Sequence, residues 1–205
     1  YISFSALIDS AGAPANSNVL FELCCSMGYD MIKGDVRLTS ANGIVMCHDK
    51  GFTLNENGRI IGYEPKNKTK IHDMTFQQCM SLQYETNYNG QNVSVCDFET
   101  FLSICSRYNK SALITIRNEY IDELVESMMP LIYKYKMQDR CIINSNELNS
   151  LETVKRFDET IRLSWIIKNG ELTMEVVDKA SALGNCTLTL YSFWVENGGM
   201  EMLDS

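Results

Sequence analysis

The chain has 205 residues, 45% of them hydrophobic, and a formal net charge of −8, which fits one globular domain over residues 1–205. An acidic chain argues against nucleic-acid binding and against attraction to an anionic membrane, because both need clustered Lys and Arg. No apolar run approaches the roughly 18 residues that cross a bilayer, so we expect no membrane span. The start has neither an initiator Met nor the basic region of a signal peptide, so we expect a processed chain or a segment attached to other domains of a larger protein.

We expect the cysteines to be small buried hydrophobic residues, because most of them lie inside apolar segments. These are Cys24, Cys25, Cys79, Cys96, Cys105, Cys141 and Cys186. No Cys-x-x-Cys pair is present, which argues against a zinc site or a redox motif. Free thiols are therefore expected, and they favour a reducing compartment, or a virion or surface protein whose thiols stay free.

Short apolar runs alternate with longer segments of helical spacing along the chain. A helix over residues 17–27, ended by Gly28, precedes a strand at 31–38. After a turn at Asn42-Gly43 and a run at 44–47, a polar loop from 49 to 70 is predicted to carry a hairpin at Asn57-Gly58. The remaining predicted helices cover 75–82, 97–108, 120–135, 147–157 and 173–183, and the remaining strands cover 112–116, 141–144, 161–167 and 186–191.

This alternation of strands and helices indicates parallel βαβ units and the α/β class. Periodicity alone leaves a doubly wound sheet and a barrel as alternatives. No Gly-x-Gly-x-x-Gly motif follows the first strand, so the usual sign of a dinucleotide-binding doubly wound sheet is missing.

Residues 28–49 carry the most specific motif in the chain. A Gly-x-Asp segment enters a strand that reads Lys33-Gly34-Asp35-Val36, a Leu-Thr pair and a glycine turn follow, and the next strand ends in His48-Asp49. This segment resembles the signature of the glycerophosphodiester phosphodiesterase family. Residues 13–17, 93–108 and 113–117 resemble other family segments more loosely. The resemblance implies a TIM (β/α)8-type barrel that lacks, or does not show, its last strand–helix units.

Members of that family cleave phosphodiesters with a divalent metal held by carboxylates and with two histidines as general acid and base. The metal neutralises the charge that develops on the phosphate. By the resemblance, the Glu-x-Asp metal pair falls on Lys33 and Asp35, so the Asp is retained and the Glu is replaced by a cation. The third-strand Glu falls on Thr115.

The same correspondence places the second histidine at His48 and a family lysine at Arg117. The first histidine falls near Ala6 on a first strand at residues 1–8, where neither His nor Arg is present. One acid–base group and two metal ligands are therefore replaced.

The first functional hypothesis is a catalytically inactive domain used for ligand binding or assembly, without a cofactor. Lys33 would repel a divalent metal, and Asp35 alone offers too few oxygen ligands. The alternative is an active Ca²⁺- or Mg²⁺-dependent phosphodiesterase that releases an alcohol and glycerol 3-phosphate. In that case His48 would act as acid or base and Asp35 as metal ligand.

A small phosphate- or sugar-containing ligand is the expected partner. Lys33, Arg117 and His48 would ring the strand ends and hold an anion without a metal, unless Asp35 neutralises Lys33 completely. Trp165 and Trp194 lie at or after strand ends, where they either pack the barrel or contact the alcohol part of a ligand. His72 matches no family position and is expected to be a surface loop residue.

Overall fold

The structure, a computed structural model, describes residues 2–3, 12–62, 69–117, 119–168 and 170–190. Its main sheet has six parallel strands in the order β1-β2-β7-β8-β9-β10. Their bounds are Ile2–Ser3 (β1), Met31–Leu38 (β2), Ser111–Thr115 (β7), Cys141–Ser145 (β8), Arg162–Ile167 (β9) and Cys186–Leu190 (β10). Each new strand is added beside the preceding one, as consecutive βαβ units require. The predicted α/β class is confirmed.

A smaller antiparallel part follows β2. Strand β3 (Ile44–Met46) turns back onto the end of β2, and the turn uses Asn42 with a φ of 57°. A separate sheet of three strands has the order β5-β4-β6, with bounds Gly51–Leu54 (β4), Ile60–Gly62 (β5) and Thr69–Lys70 (β6). The predicted hairpin is confirmed as β4–β5. The third strand, β6, was not predicted, because a two-residue polar strand carries no periodic signal.

The helices follow the strands as predicted, and their bounds differ from the expected ones by about one residue. They are Asn18–Ser26 (α1), Phe76–Ser81 (α2), Phe98–Arg107 (α3), Ile121–Lys134 (α4), Leu148–Phe157 (α5) and Met174–Leu183 (α6). Ser17, Thr75 and Asp97 cap α1, α2 and α3 by accepting a hydrogen bond from a first-turn backbone N–H, the usual role of these residue types. Gly184 ends α6 with a φ of 67°.

Alternation along the parallel strands separates an apolar face from a polar one. Ile32, Ile114, Ile143 and Leu163 belong to the larger core, which also includes α1, α3 and α4 side chains. The residues between them face the other side of the sheet. At Gly34, Met46 and Phe101 occupy the space that a Cβ would need, so a larger residue there would push the packed layers apart.

A second, smaller core fills the segment between β3 and α3. It consists of Val45, Cys47, Phe52, Ile60, Ile71, Cys79, Tyr84, Val93 and Val95. Cys47 therefore joins the buried cysteines, whereas Cys186 is only partly buried, which corrects the expectation for that residue. None of the eight cysteines, all of which lie in the described part of the chain, forms a disulfide.

Candidate functional site

Polar side chains line up at the carboxyl ends of the parallel strands. The strand register pairs Asp35 with Thr115, Thr115 with Asn144, and Asn144 with Ser164. These four residues therefore form one layer across β2, β7, β8 and β9, on the face opposite to the larger core. In parallel α/β folds, this end of the strands is where ligands bind.

Asp35 is the only carboxylate of this layer, and it is already paired. Its Oδ2 lies 2.6 Å from Lys33 Nζ and accepts a second hydrogen bond from Asn16 Nδ2 at 3.3 Å. The Asp35 backbone N–H donates to Asn16 Oδ1 at 2.9 Å. Asn16 holds this position with a φ of 56°, which asparagine tolerates better than most residues. Asn16 therefore fixes both the backbone and the carboxylate of Asp35.

His48 and Arg117 are brought together beside Asp35. The backbone N–H of Cys47 donates to the Asp35 carbonyl at 2.9 Å, which places the following residue, His48, next to β2. The Nη2 of Arg117 lies 3.3 Å from His48 Nε2, and His48 Nδ1 lies 2.6 Å from Asp49 Oδ1. A guanidinium can only donate, so these contacts fit the tautomer whose Nε2 accepts from Arg117 and whose Nδ1–H donates to Asp49. The two contacts thus orient the His48 ring.

Arg37 holds the strand-end loops in place, a role that the sequence did not reveal. Its Nε and Nη2 donate to the His48 carbonyl at 3.2 and 2.6 Å, and its Nη1 pairs with Glu119 at 3.1 Å. Glu119 also pairs with Lys50. Burial lowers the pKa of Arg37 from its ordinary value, although the Glu119 carboxylate opposes that shift. Arg37 therefore joins the His48 segment to the loop that carries Arg117.

Thr115 and Asn144 complete the layer without adding charge. Both are buried, and Asn144 Nδ2 donates to Thr115 Oγ1 at 3.4 Å. Two acceptor atoms of the layer, Asp35 Oδ1 and Asn144 Oδ1, are buried and have no hydrogen-bond partner. Most buried polar atoms in proteins are hydrogen-bonded, so two such acceptors in one layer call for a physical explanation.

The side chains at this site do not fit a divalent metal. The described part of the chain contains no group of three or more His, Cys, Asp or Glu side chains that could hold a metal ion. One oxygen of Asp35 already receives the Lys33 ammonium, and Thr115 supplies a neutral hydroxyl. Ca²⁺ and Mg²⁺ sites draw on several oxygen ligands, usually with more than one carboxylate.

The structure describes only some of the ring-bearing residues that the sequence singled out. Trp165 on β9 is partly buried and packs against the larger core, which favours the packing alternative over ligand contact. Trp194 and Ala6 lie outside the described residues. His72 was expected on the surface, yet its ring stacks on Tyr120 at a centroid distance of 3.5 Å and its Nδ1 is buried. His72 thus joins the segment between β3 and α3 to the loop after β7.

Two cavities differ in their position relative to Arg117. A recess of about 30 Å³ lies among Arg37, Lys50, His72, Arg117, Glu119 and Tyr120. A groove of about 700 Å³ lies elsewhere, between α1, the start of α3 and the segment before α3, and contains none of the strand-end residues.

None of the helices among the described residues is long and apolar enough to cross a membrane.

Comparisons with known proteins agree with this fold. A curated relative, the glycerophosphodiester phosphodiesterase of Caldanaerobacter subterraneus subsp. tengcongensis, is 24% identical over 170 residues. The match covers 79% of this chain and 65% of the relative, so the chain spans less than two thirds of that protein's length.

Solved structures of similar fold include two phosphodiesterases. A glycerophosphodiester phosphodiesterase from Parabacteroides distasonis has a TM-score of 0.73 at 19% identity, covering 99% of this chain and 77% of that one. An Oleispira antarctica phosphodiesterase, solved with its product sn-glycerol 3-phosphate, has a TM-score of 0.67 at 14% identity, covering 89% of this chain and 80% of that one. These likenesses establish the fold as the TIM-barrel type.

The profile of the glycerophosphoryl diester phosphodiesterase family matches residues 9–195. The matched range includes the strand-end layer, Asn16 and the segment between β3 and α3. The chain belongs to the glycerophosphoryl diester phosphodiesterase family.

Proposed function

We propose that this domain is a catalytically inactive member of its family that binds a small phosphate-bearing ligand at the strand ends without a metal. The ion pair between Lys33 and Asp35 is the observation that carries the proposal. Its N–O distance is 2.6 Å, and the two side chains are 20% and 9% exposed. An internal ammonium therefore takes the carboxylate that a metal would need.

Coulomb repulsion argues against a metal ion that shares the Asp35 carboxylate with Lys33. A divalent ion bound to Asp35 would lie within a few ångströms of Lys33 Nζ. At a separation of about 4 Å and an effective dielectric of about 20, the repulsion is about 8 kcal/mol. The attraction between the metal ion and its carboxylate ligands would have to exceed that repulsion. Thr115 cannot add to the attraction, because its hydroxyl carries no negative charge.

The charges at the strand ends are balanced, although the whole chain has a net charge of −8. Lys33 pairs with Asp35, and Arg37 and Lys50 pair with Glu119. The remaining carboxylates are Asp49, which contacts His48, and Glu147, which Asn146 links to Arg117. An anion therefore meets less repulsion at the strand ends than the net charge of the chain suggests.

Arg117 is the best placed cation for binding the ligand. Its Nη1 donates to Asn146 Oδ1 at 2.7 Å and its Nη2 lies 3.3 Å from His48 Nε2, so an amide and an imidazole hold the guanidinium plane. No described carboxylate pairs with it. A guanidinium in that state keeps its full charge for a phosphate, which it can contact with two parallel N–H groups.

The alternative function is an active metal-dependent phosphodiesterase with His48 as acid or base and Asp35 as metal ligand. The hydrogen bond between His48 Nδ1 and Asp49 Oδ1 favours it, because a carboxylate that orients an imidazole is a frequent feature of acid–base catalysts. This alternative needs further metal ligands, and the described residues contain no group of three or more His, Cys, Asp or Glu side chains that could hold the ion.

Binding and turnover assays separate these functions. Calorimetric titration with inorganic phosphate in EDTA should give saturable binding that Arg117→Met abolishes. Arg107→Met is the matched control, because Arg107 pairs with Glu22 on the surface away from the site. Hydrolysis of glycerophosphocholine with Ca²⁺ or Mg²⁺ should be undetectable. Metal-dependent turnover that His48→Ala removes would establish the alternative, and absence of phosphate binding would leave a role in assembly.

A further inference from the structure

The smaller sheet continues beyond β5 through two further extended segments. Ile60 of β5 pairs with Tyr84 in the parallel sense, and Gln83 pairs with Ser94 in the antiparallel sense. The hydrogen bonds from Ile60 N–H to the Gln83 carbonyl and from Tyr84 N–H to the Val93 carbonyl are both 2.8 Å long. Among the described residues, 93–95 are therefore the outermost extended segment on this side of the sheet.

This outer segment has a free edge. The Val93 carbonyl and the Val95 N–H point toward the neighbouring segment, where they bond to Tyr84 and Leu82. Backbone groups of successive residues in a strand point to opposite sides, so the N–H and C=O of Ser94 point away from it. Neither group has a hydrogen-bond partner among the described residues. An edge of this kind can pair with another extended chain.

A groove of about 700 Å³ lies along this edge, within the range of about 300–1,000 Å³ that is usual for ligand sites. Residues 91–97 line it and the paired residues 82–84 do not, so the groove is on the free side of the edge. The opposite wall is α1, whose Val19, Glu22, Leu23 and Ser26 line the groove at the spacing of one helical face. Val19 and Leu23 are only partly buried, so further apolar side chains can pack on them.

The charge of the groove indicates which ligand it fits. Its lining has two carboxylates, Glu22 and Asp97, and contains no Lys, Arg or His. Glu22 is already paired with Arg107. Asp97 accepts a hydrogen bond from Thr100 N–H at 3.1 Å, and none of the ion pairs among the described residues includes it. A Lys or Arg of an incoming chain would supply the missing counter-ion, whereas an anionic ligand would be repelled.

We propose that this groove binds an extended peptide segment of another protein, which adds a strand beside residues 93–95 and places a Lys or Arg side chain at Asp97. The two free backbone groups of Ser94 pair with the main chain of the peptide. Side chains of the peptide that point toward α1 pack against Val19 and Leu23. This docking site is separate from the strand ends, because none of the strand-end residues lines the groove.

Hydrogen exchange at Ser94 tests whether the edge is free. In the protein alone, the Ser94 amide proton should be protected at least about tenfold less than that of Val95, which donates to the Leu82 carbonyl at 3.2 Å. Equal protection of the two amides would overturn the proposal, because another segment of the chain would then occupy the edge.

A random heptapeptide library displayed on phage supplies the peptide probe. Selection on the wild-type protein should enrich peptides that combine alternating apolar residues with a Lys or Arg. A synthetic copy of the most enriched peptide, with blocked ends, should protect the Ser94 amide from exchange. N-methylation of its central backbone amides should weaken binding at least about tenfold, since they can then no longer donate. Absence of enrichment, or enrichment of acidic peptides, would contradict the proposal.

Variants assign the contacts of the selected peptide. Ser94→Pro removes an N–H that has no partner among the described residues, and an edge position tolerates Pro for that reason. Ser94→Ala keeps the N–H and is the matched control. The peptide should bind Ser94→Ala as it binds the wild type, and Ser94→Pro at least about tenfold more weakly. If Ser94→Pro does not fold, the N-methylated peptide makes the same test from the other side of the contact.

The charge of Asp97 is tested without loss of the helix cap. Asp97→Asn keeps a side chain that can cap α3, and it should weaken peptide binding about two- to fivefold, as expected for a partly exposed ion pair. An unchanged affinity would overturn the assignment of the basic side chain to Asp97. Saturable binding of maltoheptaose that Ser94→Pro leaves unchanged would assign the groove to a neutral sugar and overturn peptide docking.

Discussion

The Lys33 ammonium lies 2.6 Å from the Asp35 carboxylate, two residues farther along the same strand. Residues two apart on a strand face the same side, so the pair forms directly at the end of β2 where ligands bind. Asn16 adds hydrogen bonds to the Asp35 side chain and backbone. Asp35 is therefore the anchor of an internal ion pair at the strand ends.

Replacing Lys33 alone should destabilise the protein, because Asp35 would stay buried without its counter-ion. We expect Lys33→Met to lower the free energy of unfolding by about 2–3 kcal/mol, below the range for a fully buried pair because Lys33 is partly exposed. Lys33→Met with Asp35→Asn should recover most of that loss. Urea unfolding of the wild type, both single variants and the double variant measures the coupling. Additive effects would show that the ion pair contributes nothing.

Introducing two carboxylates beside Asp35 should create a metal site. Lys33→Glu with Thr115→Glu places three carboxylates at neighbouring register positions of β2 and β7. We expect saturable Ca²⁺ binding by calorimetry in the double variant and none in the wild type. Lys179→Glu with Ser181→Glu controls for net charge, because it makes the same change of −3 at exposed positions of α6, where Lys179 pairs with Glu175. Equal Ca²⁺ binding by the wild type would contradict the account.

Replacing Asn16 should lower the free energy of unfolding more than replacing an asparagine with only an exposed side-chain hydrogen bond. Asn16→Ala removes both hydrogen bonds to Asp35 and places alanine at a φ of 56°. We expect a loss of about 2–4 kcal/mol in the free energy of unfolding. Asn185→Ala is a suitable comparison, because Asn185 has a φ of 47° but an exposed side-chain hydrogen bond. A loss no larger than that of the control would show that the Asp35 contacts add little.

The buried thiols predict a loss of stability in base. Burial raises the pKa of Cys47 and of Cys141 from 9.0 to about 12, and the pKa of Cys79 to about 11. The unfolded chain gives up these protons near pH 9, before the folded protein does, so the free energy of unfolding falls as pH rises from about 9 to 12. Urea midpoints at pH 7, 9.5 and 10.5 should decrease in that order.

A cysteine variant identifies the source of that decrease. Cys47→Ala should reduce the slope of stability against pH above 9, whereas stability at pH 7 falls through the lost packing. Tyr133, whose pKa is raised to about 12 mainly by burial, contributes with the same sign and remains in the variant. An unchanged slope would mean that the Cys47 thiol does not titrate as its burial implies.

The sequence predicted the elements well because their signals are local. Apolar runs marked the strands, and Ser17, Asp97 and Gly184 marked helix ends through hydrogen bonds and backbone angles that involve only neighbouring residues. The short strand β6 and the stacking of His72 on Tyr120 depend on segments far apart in the chain. No periodic pattern records such contacts.

The candidate site was predicted only in part, for a related reason. Motif resemblance indicated Lys33, Asp35, His48 and Arg117, and the structure brings them together in two pairs. Arg37, Asn16 and Asn144 were not identified, because their roles come from hydrogen bonds across loops and from strand register. An asparagine inside a strand gives no chemical signal until the adjacent strands are known.

Phosphate binding in the presence and absence of metal distinguishes a metal-free ligand site from a metal-dependent one. We predict that inorganic phosphate binds with the same affinity in EDTA and in Ca²⁺, and that Arg117→Met abolishes binding in both. Lys33 would then stand where the family motif expects a metal ligand, and the ligand would need no metal. Phosphate binding that appears only with Ca²⁺ would contradict this account, as would glycerophosphocholine hydrolysis that requires Ca²⁺.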